Sequence, residues 1–184
     1  MQKRKLVLGR PSCARAAELV TGGKLLVQVF GAGDEQRTCD GIYDVLNDAV
    51  LEVLADGLID RQQYDDYYQP VYFRTLNELT APFADSTSPA SRLLSLDCAE
   101  SYEVAVPFVE AFRTTGDVAR YASEYTDFFR AFTEAVLRAS LAGQSGLQIL
   151  IDDIYARAER LVRNDPGRYE FHYVALAMQL TRQA

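Results

Sequence analysis

A short apolar segment between two glycine-containing turns constrains the fold of this chain most strongly. Lys24–Phe30 carries Val27 and Val29 and is preceded by Gly22 and Gly23. The turn after it, residues 31–33, contains two more glycines. Such a short apolar run is typical of a strand buried on both faces, as in a parallel sheet. The sequence therefore predicts a buried parallel strand and an α/β fold.

Helical periodicity dominates the rest of the chain. Its clearest instance places apolar residues at i, i+3, i+4 and i+7 from Ile42 to Leu54, with Asp40 as the cap and Gly57 as the stop. Further helices are predicted at residues 11–21, 61–67, from the capping box of Thr75 and Glu78 onward, at 117–141 and at 147–163. Strands are predicted at residues 93–98, 102–106 and 171–180, an extended segment at 70–73 and a polar turn at 86–91.

Charge and cysteine usage exclude several classes of protein. The net charge is −7 and the basic residues cluster only at residues 3–5, which argues against nucleic-acid binding. Cys13, Cys39 and Cys98 are far apart and odd in number, which favours a reducing compartment. No apolar stretch approaches the roughly 20 residues that a membrane span needs. We expect a soluble, cytoplasmic protein with no nucleic-acid or membrane partner.

Common catalytic constellations are missing from the sequence. His172 is the single histidine, and no G-x-S-x-G nucleophile motif or P-loop is present. The glycines at residues 31–33 precede Asp34 and Glu35, whose charges would repel a pyrophosphate. We expect no catalytic side chain of the triad or phosphate-binding kinds.

Aromatic residues form two groups. One group crowds a connecting segment and comprises Tyr64, Tyr67, Tyr68, Tyr72 and Phe73. The other follows helical spacing and comprises Tyr121, Tyr125, Phe128, Phe129 and Phe132. Aromatic stripes are found in cores and also line small-molecule pockets. The periodicity therefore leaves open whether these residues form a core or a pocket.

Segments of the chain resemble, in order, the SABATH (salicylate, benzoate and theobromine) type of carboxyl methyltransferase. Residues 14–31 resemble the helix, Gly-Gly turn and late strand of class I methyltransferases, and residues 41–60 the helix that follows. Within residues 64–79 the family's aspartate-aromatic-Pro-x-Tyr segment is matched by Asp65, Tyr67, Pro70 and Tyr72. The family's Arg-Ala-x-x-Glu helix is matched by Arg130, Ala131 and Glu134, and its closing strand by residues 171–182.

The resemblance implies the C-terminal portion of a class I (Rossmann-like) methyltransferase sheet plus a mainly helical acceptor-binding cap. It implies one domain over residues 1–184. Residues from about 11 to 60 would form the end of the sheet, about 61 to 170 the cap with small strands, and about 171 to 182 the closing strand.

The resemblance also implies an acceptor pocket and a metal ligand. The pocket residues would be Phe30, Ile42, Tyr43, Phe129, Phe132 and Tyr173, with Phe171 in place of Tyr173 if the register slips by two. Some members bind magnesium at an aspartate-aromatic-asparagine stretch, which makes Asp65 the candidate ligand here. Tyr68 replaces the asparagine, so a magnesium site is doubtful.

Family members transfer a methyl group from S-adenosylmethionine to a carboxylate, or to a ring nitrogen in some. A carboxylate is already ionised at neutral pH, so alignment and desolvation suffice and no general base is required. The family's donor site lies upstream of the matched region. We therefore expect the acceptor-binding part of an O-methyltransferase for a small aromatic carboxylic acid, incomplete for S-adenosylmethionine binding and inactive alone.

Other partners and functions remain open from the sequence. The apolar face and free edge expected for Lys24–Phe30 would seek an upstream N-terminal half or a second copy. The alternative function is a non-catalytic module, a pseudoenzyme or gene fragment that binds a small molecule or protein. A generic α/β domain with an accidental family likeness is the third interpretation.

Overall fold

A computed structural model describes residues 9–33, 37–38, 40–67, 69 and 71–184. The elements are α1 Gly9–Glu18, β1 Lys24–Phe30, α2 Asp40–Ala55, α3 Arg61–Asp66, α4 Leu76–Ala84, α5 Pro89–Leu93, β2 Leu94–Glu103, α6 Pro107–Thr115, α7 Val118–Ser140, α8 Leu147–Asn164 and β3 Val174–Arg182. The predicted α/β class is confirmed.

The elements belong to two compact units. The sheet unit takes the described residues up to 38 together with residues 72–104 and 173–184. The helical unit takes the described residues within 39–71 together with residues 105–172. Each unit is therefore assembled from separate stretches of the chain.

The three strands of the sheet unit form an antiparallel sheet in the order β1-β3-β2. β1 runs against β3 from the Lys24–Thr181 pair to the Phe30–Ala175 pair, and β2 runs against the other edge of β3. The prediction that Lys24–Phe30 is a parallel strand is wrong. Its partner is the last strand of the chain, which the local sequence around β1 could not reveal.

β1 is buried on one face only, so the prediction of two buried faces is also wrong. Leu25, Val27 and Val29 pack against the core, whereas Leu26 is 71% exposed and Phe30 is 56% exposed. Polar Lys24 and Gln28 lie on the exposed face, and this alternation is the signature of a half-buried strand. Because Leu26 and Phe30 on that face are apolar, the alternation of polar and apolar residues is not visible in the sequence.

The core of the sheet unit lies between the inner face of the sheet and helices α1, α4 and α5. Its fully or nearly fully buried members are Ala16, Leu79, Leu94, Val174, Leu176, Met178 and Leu180. β3 supplies four of these seven residues, which makes the central strand the main apolar surface of this unit. Thr75 caps α4 through the capping box with Glu78, as predicted.

The helical unit packs α7 against α6 and α8, and α8 against α2. The Arg130 and Glu134 pair that carries part of the family resemblance is an ion pair along α7, with Arg130 Nε 2.6 Å from Glu134 Oε2. Arg130 also donates to Asp152 of α8 at 2.5 Å. On the other side of α8, Arg157 pairs with Asp56 at 2.7 Å. These pairs are partly exposed and lie at the edges of the helix contacts.

Most predicted elements are confirmed, with differences at loops and ends. Residues 89–93 form α5 where a turn was predicted, and residues 107–115 form α6 where no element was predicted. The two strands predicted after residue 93 are one strand, β2, with a bulge near Asp97. β3 starts at Val174, three residues later than predicted.

Some predictions fall on residues outside the described part of the chain. These are the basic residues 3–5, Asp34, Glu35, Cys39, Tyr68 and Pro70. None of the described helices is long and apolar enough to cross a membrane.

The carboxylate of Asp97 connects all three strands on the exposed face of the sheet. It accepts hydrogen bonds from Thr181 Oγ1 at 2.7 Å, Lys24 Nζ at 3.0 Å and Gln179 Nε2 at 3.1 Å. These hydrogen bonds, that of Thr181 first, lower the pKa of Asp97 from 3.8 to about 2. The ionised carboxylate therefore favours the folded sheet.

We predict that Asp97→Asn makes the free energy of unfolding less dependent on acidic pH. A carboxyl whose folded-state pKa is lowered contributes stability above its unfolded pKa of 3.8, and this contribution disappears as the pH falls to about 2. Urea unfolding across this range should show the gap between wild type and Asp97→Asn closing on acidification. Asp127→Asn, at an exposed position of α7, is the control and should keep the wild-type profile. A gap that stays constant with pH would contradict the prediction.

Candidate functional site

Two of the predicted pocket residues meet in the sheet unit. The rings of Phe30, at the end of β1, and Tyr173, just before β3, have centroids 5.0 Å apart and planes inclined by 58°. Thr38 fixes the start of β3, because its hydroxyl donates to Val174 O at 2.8 Å and accepts from Val174 N at 2.9 Å. An exposed Phe30 ring and a half-buried Tyr173 ring thus form an aromatic pair at this end of the sheet.

The aromatic stripe of α7 divides into a buried and an exposed part. Tyr121, Tyr125 and Phe129 are buried, whereas Phe128 is 38% exposed and Phe132 is 41% exposed. The two exposed rings stand edge to face with centroids 5.6 Å apart. The core interpretation is therefore confirmed for the buried side of the helix, and the pocket interpretation stays a prediction for the exposed side.

Sequence reasoning missed the contribution of α6 to this cluster. Phe108 lies 5.8 Å from the Tyr125 ring and 6.0 Å from the Phe171 ring, and both pairs are stacked. Phe112 stacks on Tyr121 at 4.5 Å. Pro107 at the first helical position was the available signal for α6.

The predicted pair Ile42 and Tyr43 lies in the first turn of α2. Ile42 is fully buried and Tyr43 is half-buried. The preceding Gly41 lets the loop before β3 approach closely, because a Cβ there would come within 2.4 Å of Glu170 O. Of the six predicted pocket residues, Ile42 and Phe129 have no exposed surface, whereas Phe30 and Phe132 are broadly exposed.

Buried phenols rather than charged groups characterise the interior of the helical unit. Burial raises the pKa of Tyr121 and of Tyr155 to about 12. The Tyr155 hydroxyl is hydrogen-bonded to Thr133 Oγ1 at 2.8 Å. Tyr169 reaches a pKa of about 12 through burial and then through its hydrogen bond to Asp48. These groups stay neutral at physiological pH, so they supply packing and hydrogen bonds to the interior rather than charges or bases.

The described residues do not fit a metal or a nucleotide cofactor. Both carboxylate oxygens of Asp65 are held by Arg61, at 2.9 and 3.1 Å, and no group of three or more acidic, histidine or cysteine residues occurs in the described part of the chain. At Gly31 a Cβ would meet Leu176 at 2.2 Å, so that glycine serves internal packing and leaves no cradle for a ligand. His172 lies beside Glu170, with Nε2 3.7 Å from the carboxylate.

The fold of this chain has a counterpart among solved structures. A solved structure of loganic acid methyltransferase with SAH matches with a TM-score of 0.67 and 18% sequence identity. The match covers 93% of this chain and 45% of that chain. At this level of identity the likeness shows a shared fold.

The family model for SAM dependent carboxyl methyltransferases matches residues 13–183. The chain therefore belongs to the family of SAM-dependent carboxyl methyltransferases, as its resemblance to the SABATH type predicted.

Curated relatives agree with the family and exceed the chain in length. A probable jasmonic acid carboxyl methyltransferase 1 of Theobroma cacao is 24% identical over 179 residues, covering 92% of this chain and 45% of that protein. A probable caffeine synthase of Coffea canephora is 25% identical over 167 residues, covering 87% of this chain and 42% of that protein. The chain spans less than half the length of these relatives.

We predict that Phe129→Ala lowers the free energy of unfolding much more than Phe132→Ala does. Phe129 is fully buried between Tyr125 and Tyr155, so its truncation should lower the free energy of unfolding by about 3–5 kcal/mol. Phe132 is partly exposed, and its truncation should cost less than about 1 kcal/mol. Denaturant unfolding measures both. Equal losses for the two variants would contradict this division.

Proposed function

We propose that this chain is the acceptor-binding part of an S-adenosylmethionine-dependent O-methyltransferase for a small aromatic carboxylic acid. The observation that carries the proposal is the family match over residues 13–183. The relative from Theobroma cacao, whose printed name describes a carboxyl methyltransferase, supports a carboxylate as the acceptor group.

The exposed rings of the two units support an aromatic acceptor. In the sheet unit, Phe30 and Tyr173 offer a tilted ring pair to which a flat ligand can add. In the helical unit, Phe132 offers its ring beside Phe128. We propose each ring separately as a contact for the acceptor, together with Tyr43 of α2.

We propose that Ile42 and Phe129 support the acceptor-binding residues from the core beneath them. Both are fully buried, so they would support the residues that contact the acceptor rather than touch it broadly. Phe129 packs against the Tyr155 ring, and the two ring centroids lie 5.8 Å apart.

The chemistry of a carboxyl methyl transfer fits the described groups. An acceptor carboxylate is already ionised at physiological pH, so its methylation would require no proton to be removed by these residues. The buried tyrosines are neutral at physiological pH, which suits a site that strips water from the acceptor without supplying a base.

We propose that S-adenosylmethionine is held by a part of the enzyme outside these 184 residues. The length of the relatives supports this, because they extend well beyond the matched region. Among the described residues, β1 from Lys24 to Phe30 pairs only with β3, so its other edge is available to a strand of that missing part. A second copy of the chain is the alternative occupant of this edge.

A non-catalytic binding module is the second candidate function. The short span of the chain relative to its relatives favours it, because a module can keep the acceptor surface without the donor site. Both functions require the aromatic rings to bind an acceptor, so binding is the first property to test.

We predict that the 184-residue chain binds benzoate measurably and that Phe30→Ala and Phe132→Ala each weaken this binding about 5- to 30-fold. Loss of one ring contact removes about 1–2 kcal/mol of apolar burial, which corresponds to this factor. Isothermal titration calorimetry with sodium benzoate gives the dissociation constants.

Matched controls come from exposed apolar residues away from the proposed contacts. Val20→Ala in the sheet unit and Ile149→Ala in the helical unit, which are 78% and 77% exposed, should bind benzoate like wild type. If the control variants lose as much affinity as the ring variants, or if no variant differs from wild type, the proposed acceptor contacts are wrong.

A further inference from the structure

An exposed arginine, Arg37, lies at the end of the sheet where the aromatic pair meets. It forms an antiparallel bridge with Ala32, two residues after Phe30. The adjoining Thr38 holds this segment in place, because its backbone N–H donates to Gly31 O at 3.1 Å. The Thr38 hydroxyl also bonds to both backbone polar groups at the start of β3. The backbone of Arg37 is therefore positioned against the end of β1 and the start of β3.

This pairing places Arg37 on the same face of the sheet as Phe30. A Cβ at Gly31 would meet Leu176 of the core at 2.2 Å, so the neighbours of Gly31 along the strand point to the opposite, exposed face. Side chains directly opposite in an antiparallel pair share a face, which puts Arg37 beside Ala32 and Phe30. Burial agrees with this assignment, because Arg37 is exposed whereas the residue after it is buried.

Arg37 is close enough to act together with the aromatic residues of this face. Across the bridge, Phe30 and Arg37 are diagonal neighbours, and such neighbours lie about 7–8 Å apart, within the reach of a long side chain. Phe30 contacts the Tyr173 ring. Tyr102 lies on the other side of β3, since Phe30 and Tyr102 both pair with Ala175. One arginine and three aromatic residues therefore lie at this end of the sheet.

The charge of Arg37 is available to an external anion. Most other arginines that the structure describes hold an acidic side chain of the chain itself, as Arg61 holds Asp65. Within the described part of the chain, no acidic residue forms an ion pair with Arg37. The acidic Glu100 lies farther along β2 than Tyr102, away from the end where Arg37 is placed. A bound carboxylate would therefore point toward Arg37.

We propose that Arg37 binds the carboxylate of an acceptor whose ring stacks on Phe30 and Tyr173. This role of Arg37 rests on the proposed function and adds to it the group that recognises the negative charge. A guanidinium can donate two parallel hydrogen bonds to a carboxylate, so it orients the acid as well as attracting it. A neutral amide with the same ring gains no such charge pairing.

The test compares benzoate with benzamide, which has a similar shape and no charge. Isothermal titration calorimetry of the 184-residue chain, at low and at high salt, gives the dissociation constants for wild type, Arg37→Gln and Phe30→Ala. Arg92→Gln is the matched control, because it removes another exposed arginine of the sheet unit, at the end of α5.

We expect Arg37→Gln to weaken benzoate binding about 3- to 10-fold, as for loss of a partly exposed charge-assisted pair, and to leave benzamide binding unchanged. Added salt should weaken benzoate binding to wild type and to Arg92→Gln more than to Arg37→Gln, because salt screens exposed charges.

Three results would overturn the role of Arg37. If Phe30→Ala weakens benzoate binding and Arg37→Gln does not, or if Arg92→Gln weakens it equally, Arg37 does not bind the carboxylate and the proposed function stands. If Arg37→Gln weakens benzamide as much as benzoate, the arginine shapes the site without pairing with the charge. If wild type binds no benzoate, the proposed function and the role of Arg37 are both wrong.

Discussion

The pairing of β3 between β1 and β2 is the constraint on which the sheet unit depends. β3 is the last element of the chain, yet it is the central strand and supplies the fully buried Leu176 and Leu180. Its partners lie roughly 75 to 150 residues earlier in the sequence, so the sheet cannot close until the end of the chain arrives. Phe30 and Tyr173 meet only because of this pairing, which links the fold of the unit directly to its candidate site.

Local signals in the sequence predicted most elements correctly and failed where partners are distant. Capping and 3.6-residue periodicity located α2, α4, α7 and α8, because the residues that determine a helix lie within it. The direction and burial of β1 depend on β3, which no local pattern encodes. Pro107 and the aromatic residues after it were too few to predict α6 before its packing against α7 was known.

The candidate site was predictable only in part, because sequence identifies residue types better than exposure. Periodicity placed Phe129 and Phe132 on one helix about 60° apart around its axis, and Phe129 lies in the core whereas Phe132 lies at its exposed edge. Family resemblance located Phe30 and Tyr173 without indicating that their rings touch.

We propose that these 184 residues bind the acceptor while the methyl donor is bound elsewhere in the enzyme. An assay of methyl transfer tests this proposal with the purified chain, S-adenosylmethionine and benzoate, and with methyl benzoate as the measured product. We expect product to form no faster than in the absence of protein. Sustained formation of methyl benzoate by the purified chain would show the proposal to be wrong, because these residues would then have to hold the donor as well as the acceptor.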